Sequence, residues 1–186
     1  MKEIVQEGAE VLREVAQPVP EELFGTSELA KMIKDMTKAL DPELEGVALA
    51  APQIDIPYRI FIVRMDRVEP PVPPSQLSGL TAKSDLAVRP LSTPRVDVYI
   101  NPEIVKTSRK KALMDEGCLS VRGIYGTTKR HERVTIRAQR EDGSRFERGA
   151  GGLLAQIFEH ETDHLNGILF IDHAEHLIDT THEPTA

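Results

Sequence analysis

The sequence predicts a single α+β domain, strands first, with one long helix laid across them. Three observations carry this reading. Residues 133–140 alternate strictly, with Val134, Ile136 and Ala138 on one side of an extended chain. YRIFIVRM at 58–65 has the length and the β-branched and aromatic content of a buried strand. LLAQIFEHETDHLN at 153–166 has the length and periodicity of a helix, and Gly167 is placed to cap its C-terminus.

Along the chain, residues 1–20 read as an irregular arm closed by Pro18 and Pro20, with a helical turn or two in EVLREVA. A firm helix is expected over 27–40, capped by Ser27, with Leu29, Met32, Ile33, Met36 and Leu40 on one face. Pro42 ends it by pushing Asp41 out of the α region. A short apolar stretch of small residues, 46–56, precedes the strand at 58–65. Residues 66–96 hold prolines at 70, 71, 73, 74, 90 and 94 and keep no period, so they read as a surface insertion. Strand character resumes at 96–100, turns at Asn101-Pro102 and continues through 104–107. A weak strand is expected at 124–128, then the strand at 133–140, a turn over 141–144, and a partner strand at 145–148. After the long helix, 168–171 reads as a last short strand, followed by a polar, frayed C-terminal tail.

A chain of 186 residues is the size of one domain, and 1–186 is read as one catalytic unit carrying the insertion and the tail. A net charge of −7 disfavours binding to duplex nucleic acid, which needs a concentrated basic face. The short basic clusters 109–111 and 129–131 are bordered by acids and read as solvated loops or strand ends. No leader sequence or membrane span is visible, and the lone Cys118 cannot form an internal disulfide. A cytoplasmic protein is the expectation.

The chemistry lies in His160-Glu161-Thr162-Asp163-His164. On a helix, i,i+4 spacing puts both imidazoles on one face, about 5–6 Å apart at Cβ, where they can ligate one ion. Glu161 leaves at a neighbouring angle and can act as a general base on a water at that ion. The bland alternative is an amphipathic helix whose histidines coincide. A catalytic ion needs a third protein ligand. His173, His176, Asp172, Glu175 and Asp179 lie downstream, but the histidine of the longer HExxHxxGxxH pattern is replaced by Phe170. Upstream, Cys118 in EGCLS offers a thiolate. HExxH alone also suits an endopeptidase. A closed fourth position would instead mark a metal-stabilised module without enzymatic activity.

Three motifs in this order, GVALAAPQ at 46–53, EGCLS at 116–120 and EHETDHLNG at 159–167, resemble those of the peptide deformylases. The likeness runs from about Ile4 to Ala174. It implies antiparallel sheets around a central C-terminal helix and removal of the formyl group from N-terminal formylmethionine of nascent chains. It further implies Cys118, His160 and His164 as metal ligands and Glu161 as the carboxylate that manages protons. Gln53 and the backbone N–H of Leu119 would hold the formyl oxygen, and Val47, Gly117, Leu153 and Ile157 would contact the substrate. Glu116 and Asp163 are candidates to orient a ligand imidazole. The expected ion is one Fe(2+) per chain, with Zn(2+), Ni(2+) or Co(2+) able to replace it. N-formylmethionyl peptides and the ribosome are the expected partners, and a monomer the expected state. The chain departs from the family pattern at Ala48, where glycine is usual, at Arg122 and Tyr125 after EGCLS, at Glu159, and in the 66–96 insertion. These departures touch the peptide side of the cleft and leave the ligands in place.

Overall fold

The computed structural model describes residues 2–68 and 95–180. Among these described residues, eight strands form two antiparallel sheets. The larger has the order β1-β2-β3-β6-β7: β1 Ala48–Ala50, β2 Ile60–Arg64, β3 Val96–Thr107, β6 Arg133–Gln139 and β7 Arg145–Gly151. The smaller has the order β4-β5-β8: β4 Lys111–Cys118, β5 Val121–His131 and β8 Glu175–Asp179. Three α-helices accompany them: α1 Ser27–Leu40, a single turn α2 Met65–Val68, and α3 Gly152–Leu165.

The unbroken apolar run of β2 has a simple cause: both of its faces are buried. Ile60 and Ile62 join Leu29, Ile33, Met36 and Leu40 of α1 in one core, whereas Phe61 and Val63 join Leu154, Ile157 and Phe158 of α3 in another. Phe61 stacks on its cross-strand partner Tyr99 with ring centroids 4.6 Å apart, and Phe158 meets Tyr99 edge-on at 5.1 Å. The larger sheet therefore divides two apolar layers, and α3 is pressed between this sheet and the smaller one.

Several expectations need correction. The side chain that caps α1 is Thr26, whose Oγ1 accepts from Leu29 N at 3.3 Å; Ser27 is the first helical residue. Asn101-Pro102 is not a turn. β3 runs through it as one strand with a register shift, Asn101 takes φ 48°, and its side chain bonds the backbone of Val19 and the Gln139 amide. Residues 168–171 form no strand; a 3₁₀ turn occupies Phe170–Asp172, and the last strand, β8, lies in the segment expected to fray. β4, which Cys118 ends, has no counterpart among the strands the sequence predicts. Met65, expected as the end of the strand at 58–65, begins α2; of the expected insertion, 66–68 complete that helical turn and Val96 already belongs to β3, while 69–94 lie outside the described residues.

The irregular N-terminal arm is tied down by backbone bonds: Val5 N to Gln53 O, Glu7 N to Ser120 O and Ala16 N to Leu165 O. Gly167, at φ 72°, runs beneath it; a Cβ there would lie 2.5 Å from Arg13 O. No side chain larger than hydrogen fits at that crossing. Among the described residues no helix is long and apolar enough to cross a membrane.

Candidate metal centre and its cleft

α3 presents His160 and His164 one turn apart, with ring centroids 4.9 Å from each other. The end of β4 brings Cys118 to the same face. The ligating atoms of Cys118, His160 and His164 lie within 4.8 Å of one another, and Cys118 Sγ is 3.2 Å from His164 Nε2. His173 and His176 stay outside this cluster; His173 faces Asp163 at 3.3 Å. A thiolate with two imidazoles, drawn from a strand end and one helical turn, fits a single divalent ion with a position left open.

The surrounding residues support that fit. Nδ1–H of His160 donates to Glu116 Oε1 at 3.0 Å, which leaves Nε2 as the nitrogen with a free lone pair. Burial opposes charge on His160, but its contacts with Cys118 and Glu116 outweigh that and hold the imidazole well above its usual range. Burial pushes His164 the other way, well below the usual range, so it is neutral and able to ligate.

Glu116 is itself buried, and burial alone would raise its carboxyl. The hydrogen bond and charge of His160, with the charge of Arg130, bring it down to about 2. Arg130 is also buried, 2.9 Å from Glu116 and 2.6 Å from Asp163. Asp163 therefore orients no ligand; it pairs with Arg130, and the tautomer-fixing carboxylate is Glu116. The Lys129-Arg130-His131 cluster is likewise no solvated strand end, since Arg130 is enclosed and His131 is bound to Glu159 through both its backbone N–H and Nδ1. Arg130 escaped sequence reasoning because a lone arginine in a basic triplet carries no signal of burial.

Glu161 points into the same space, and its Oε2 meets no partner among the described residues. Burial, with the nearby Glu116 and Asp163 charges and against that of His160, raises its carboxyl to about 7. Gln53 sits in the 3₁₀ turn after β1. Its Oε1 accepts from Ala50 N at 2.8 Å, which turns its amide Nε2 toward Ser120 Oγ at 3.1 Å and Cys118 Sγ at 3.5 Å. Leu119 forms the tight link between β4 and β5, with its carbonyl held by Gln6 Nε2. Ser120 is fully buried.

A cleft of about 650 Å³ opens over this centre. Val47, Gly117, Leu153 and Ile157 all line it, as do Gln53, Leu119 and Glu161. Ala48 lines it too, from within β1 opposite Val63, so its methyl sits in ordinary extended backbone. Tyr125 lies directly across from Gly117, and its ring fills the space a Cβ on Gly117 would need. Arg122, one of the departures after EGCLS, lines the cleft, as do Glu43, Asp115 and Gln156, which nothing in the spacing of the sequence singled out.

A family model described as polypeptide deformylase matches residues 1–179. The chain is 37% identical over 177 residues to peptide deformylase of Rhodopseudomonas palustris (strain TIE-1), covering 95% of this chain and 87% of that one. It is 34% identical to the chloroplastic peptide deformylase 1A of Solanum lycopersicum over 92% of this chain, and spans 59% of that relative's length. Among solved structures, the fold is similar to peptide deformylase from Thermotoga maritima, with TM-score 0.75, 30% identity, and coverage of 95% and 99% of the two chains. It is also similar to a Met-Ala-Ser-bound class I type b peptide deformylase from Acinetobacter baumannii, with TM-score 0.73, 32% identity, and coverage of 91% and 96%.

Proposed function

The chain belongs to the polypeptide deformylase family, and from that membership we propose that it hydrolyses the formyl amide of N-formylmethionyl peptides, releasing formate and a free N-terminal methionine. The observation that carries the reading is the convergence of Cys118, His160 and His164 within 4.8 Å at the base of a peptide-sized cleft, with Glu161 beside them. When bound by these three residues, a divalent ion supplies Lewis acidity and lowers the pKa of water. Fe(2+) is the ion proposed natively, one per chain, with Zn(2+), Ni(2+) or Co(2+) compatible with the same soft thiolate and imidazole donors.

The remaining steps fall to the protein. Glu161 takes a proton from the attacking water as the new C–O bond forms, and returns it to the amine nitrogen as the C–N bond breaks. A carboxyl poised near 7 suits both transfers. The Gln53 amide and the backbone N–H of Leu119 donate to the formyl oxygen as it gains charge; Gln53 is preoriented because its Oε1 is already held by Ala50. Val47, Leu153 and Ile157, with Gly117 along the peptide, take the methionine side chain, whose burial is worth roughly 1.5–3 kcal/mol. Glu116 keeps His160 in one tautomer, and Arg130 keeps Glu116 ionised.

On this reading 1–186 is one catalytic domain that acts in the cytoplasm as a monomer on nascent chains at the ribosome, without reading nucleic-acid sequence and without a membrane. Formate release from formyl-Met-Ala-Ser by iron-loaded protein, prepared without oxygen, tests it. Formate with an intact tripeptide is expected. Release no greater than that of the metal-free protein, or cleavage of internal bonds instead, would overturn it.

A further inference from the structure

Arg67, at the end of α2, gathers the lip of the cleft: its guanidinium donates to the carbonyls of Leu40, Asp41, Glu43 and Gly46. Held in this way, the loop between α1 and β1 directs the Glu43 side chain at Arg122 on β5. The two form a fork-to-fork pair, Arg122 Nη2 to Glu43 Oε1 at 2.7 Å and Nη1 to Oε2 at 3.1 Å. Both residues line the cleft that holds Cys118 and His160. Arg122 is the one lysine or arginine among the described residues lining it, and half of its side chain is open to solvent.

We propose that Arg122 is a specificity-determining residue that binds a carboxylate on the peptide downstream of the formylmethionine, with Glu43 occupying its guanidinium until such a substrate arrives. The inference rests on the deformylase reading of the same cleft. Glu43 demonstrates the fit, since the guanidinium already receives a carboxylate bidentately in the geometry that arginine favours. Half of the Arg122 side chain is open to solvent, which screens the pair, and exchanging one bidentate carboxylate for another preserves the same hydrogen bonds. The loop that carries Glu43 is fixed by Arg67, so the exchange needs only side-chain rotation. A peptide carboxylate can come from an acidic side chain or from the C-terminus of a very short peptide, and the chemistry at Arg122 is the same.

Three peptides separate the cases: formyl-Met-Ala-Ser-amide, which has no carboxylate, formyl-Met-Ala-Ser with a free C-terminus, and formyl-Met-Ala-Glu-amide. The readout is the ratio of kcat/KM for each carboxylate peptide to that for the neutral one, with KM and kcat determined separately. A ratio above one, residing in KM, is expected for at least one carboxylate peptide, and which one identifies the source. Glu43→Gln should raise that ratio by about two- to fivefold, the range of a lost exposed competitor, and Arg122→Gln should bring it to one. Higher salt should diminish it. If Glu43→Gln speeds all three peptides equally, or if neither variant moves the ratio, Arg122 reads no carboxylate and the proposal fails. Absence of formate from every peptide would instead overturn the deformylase reading.

Discussion

Replacing Arg130 by alanine tests the electrostatic logic of the centre most sharply. The guanidinium lies between Glu116 and Asp163, and the Arg130 and Glu116 side chains are only 6% and 4% exposed. Removing it leaves the Glu116 carboxylate buried with only His160 as a charged partner. Breaking a buried pair in this way costs about 3–5 kcal/mol, a large share of the 5–15 kcal/mol typical of a whole domain. Urea unfolding of the metal-free protein should show the loss as a lower midpoint with an unchanged slope. The same substitution frees Glu116 to tilt away from His160 Nδ1, so the affinity for Zn(2+) or Co(2+), measured by competition with a chelator, should fall by about 10- to 100-fold. Arg130→Lys should recover part of the stability through its charge, but less of the metal affinity, because an ammonium lacks the fork that fixes both carboxylates. An unfolding free energy within about 1 kcal/mol of wild type, together with unchanged metal affinity, would refute the reasoning.

Glu161→Ala should keep one ion per chain by elemental analysis while turnover falls by about 10²- to 10⁴-fold; loss of the ion would make Glu161 a ligand. Cys118→Ser should show the reverse order, with metal dissociation accelerating before the fold is affected, because a hard hydroxyl replaces a soft thiolate. Ile157 and Leu153 should separate packing from binding. Ile157 is 4% exposed, so Ile157→Ala should cost about 2–5 kcal/mol of stability, whereas Leu153, 46% exposed, should raise KM on truncation with little change in the denaturation midpoint. Asp172 gives a pH test: burial pushes its carboxyl up, but the Arg13 ion pair and the Leu169 N–H outweigh that, and the native value lies below the usual one. Its contribution is therefore present above the unfolded carboxyl pKa of about 3.9 and lost as pH falls through the lower native value. Asp172→Asn should flatten the stability profile in that acid window, as read by denaturation at a series of pH values.

What was legible in the sequence follows from where the physical signal is local. His160 and His164 are four residues apart on one helix with Glu161 between them, so spacing alone placed them together. α1, β6 and α3 were legible because a buried face imposes its period on the apolar residues, and β2 because burial on both faces makes its apolar run unbroken. β4 and β8 carry no such period: β8 is exposed throughout, and β4 buries only Glu116. β8 is held by backbone pairing to β5, which leaves no trace in side-chain pattern. Asn101-Pro102 reads as a turn because asparagine tolerates positive φ, and only the surrounding ladder reveals a bulge within one strand. The roles of Arg130 and Arg122 depend on partners 14 and 79 residues away, and composition reports nothing of that separation.

The clasping of α3 by the arm of residues 5–16 bears on the order in which the candidate centre assembles during synthesis. Gly167 closes the helix under Arg13, Ala16 reaches Leu165, and Glu7 reaches the turn beside Cys118. Residues 7–16 thus dock onto residues 120 and 165–167, more than 100 positions away in sequence. Contacts so remote in sequence form slowly, because a long loop must close before they stabilise anything. β2 and α1 can assemble early, yet the donors for the ion come together only after residue 167 has left the ribosomal tunnel. On the proposed reading the ion would therefore be acquired late in assembly, and a chain lacking α3 would expose Cys118 without His160 and His164.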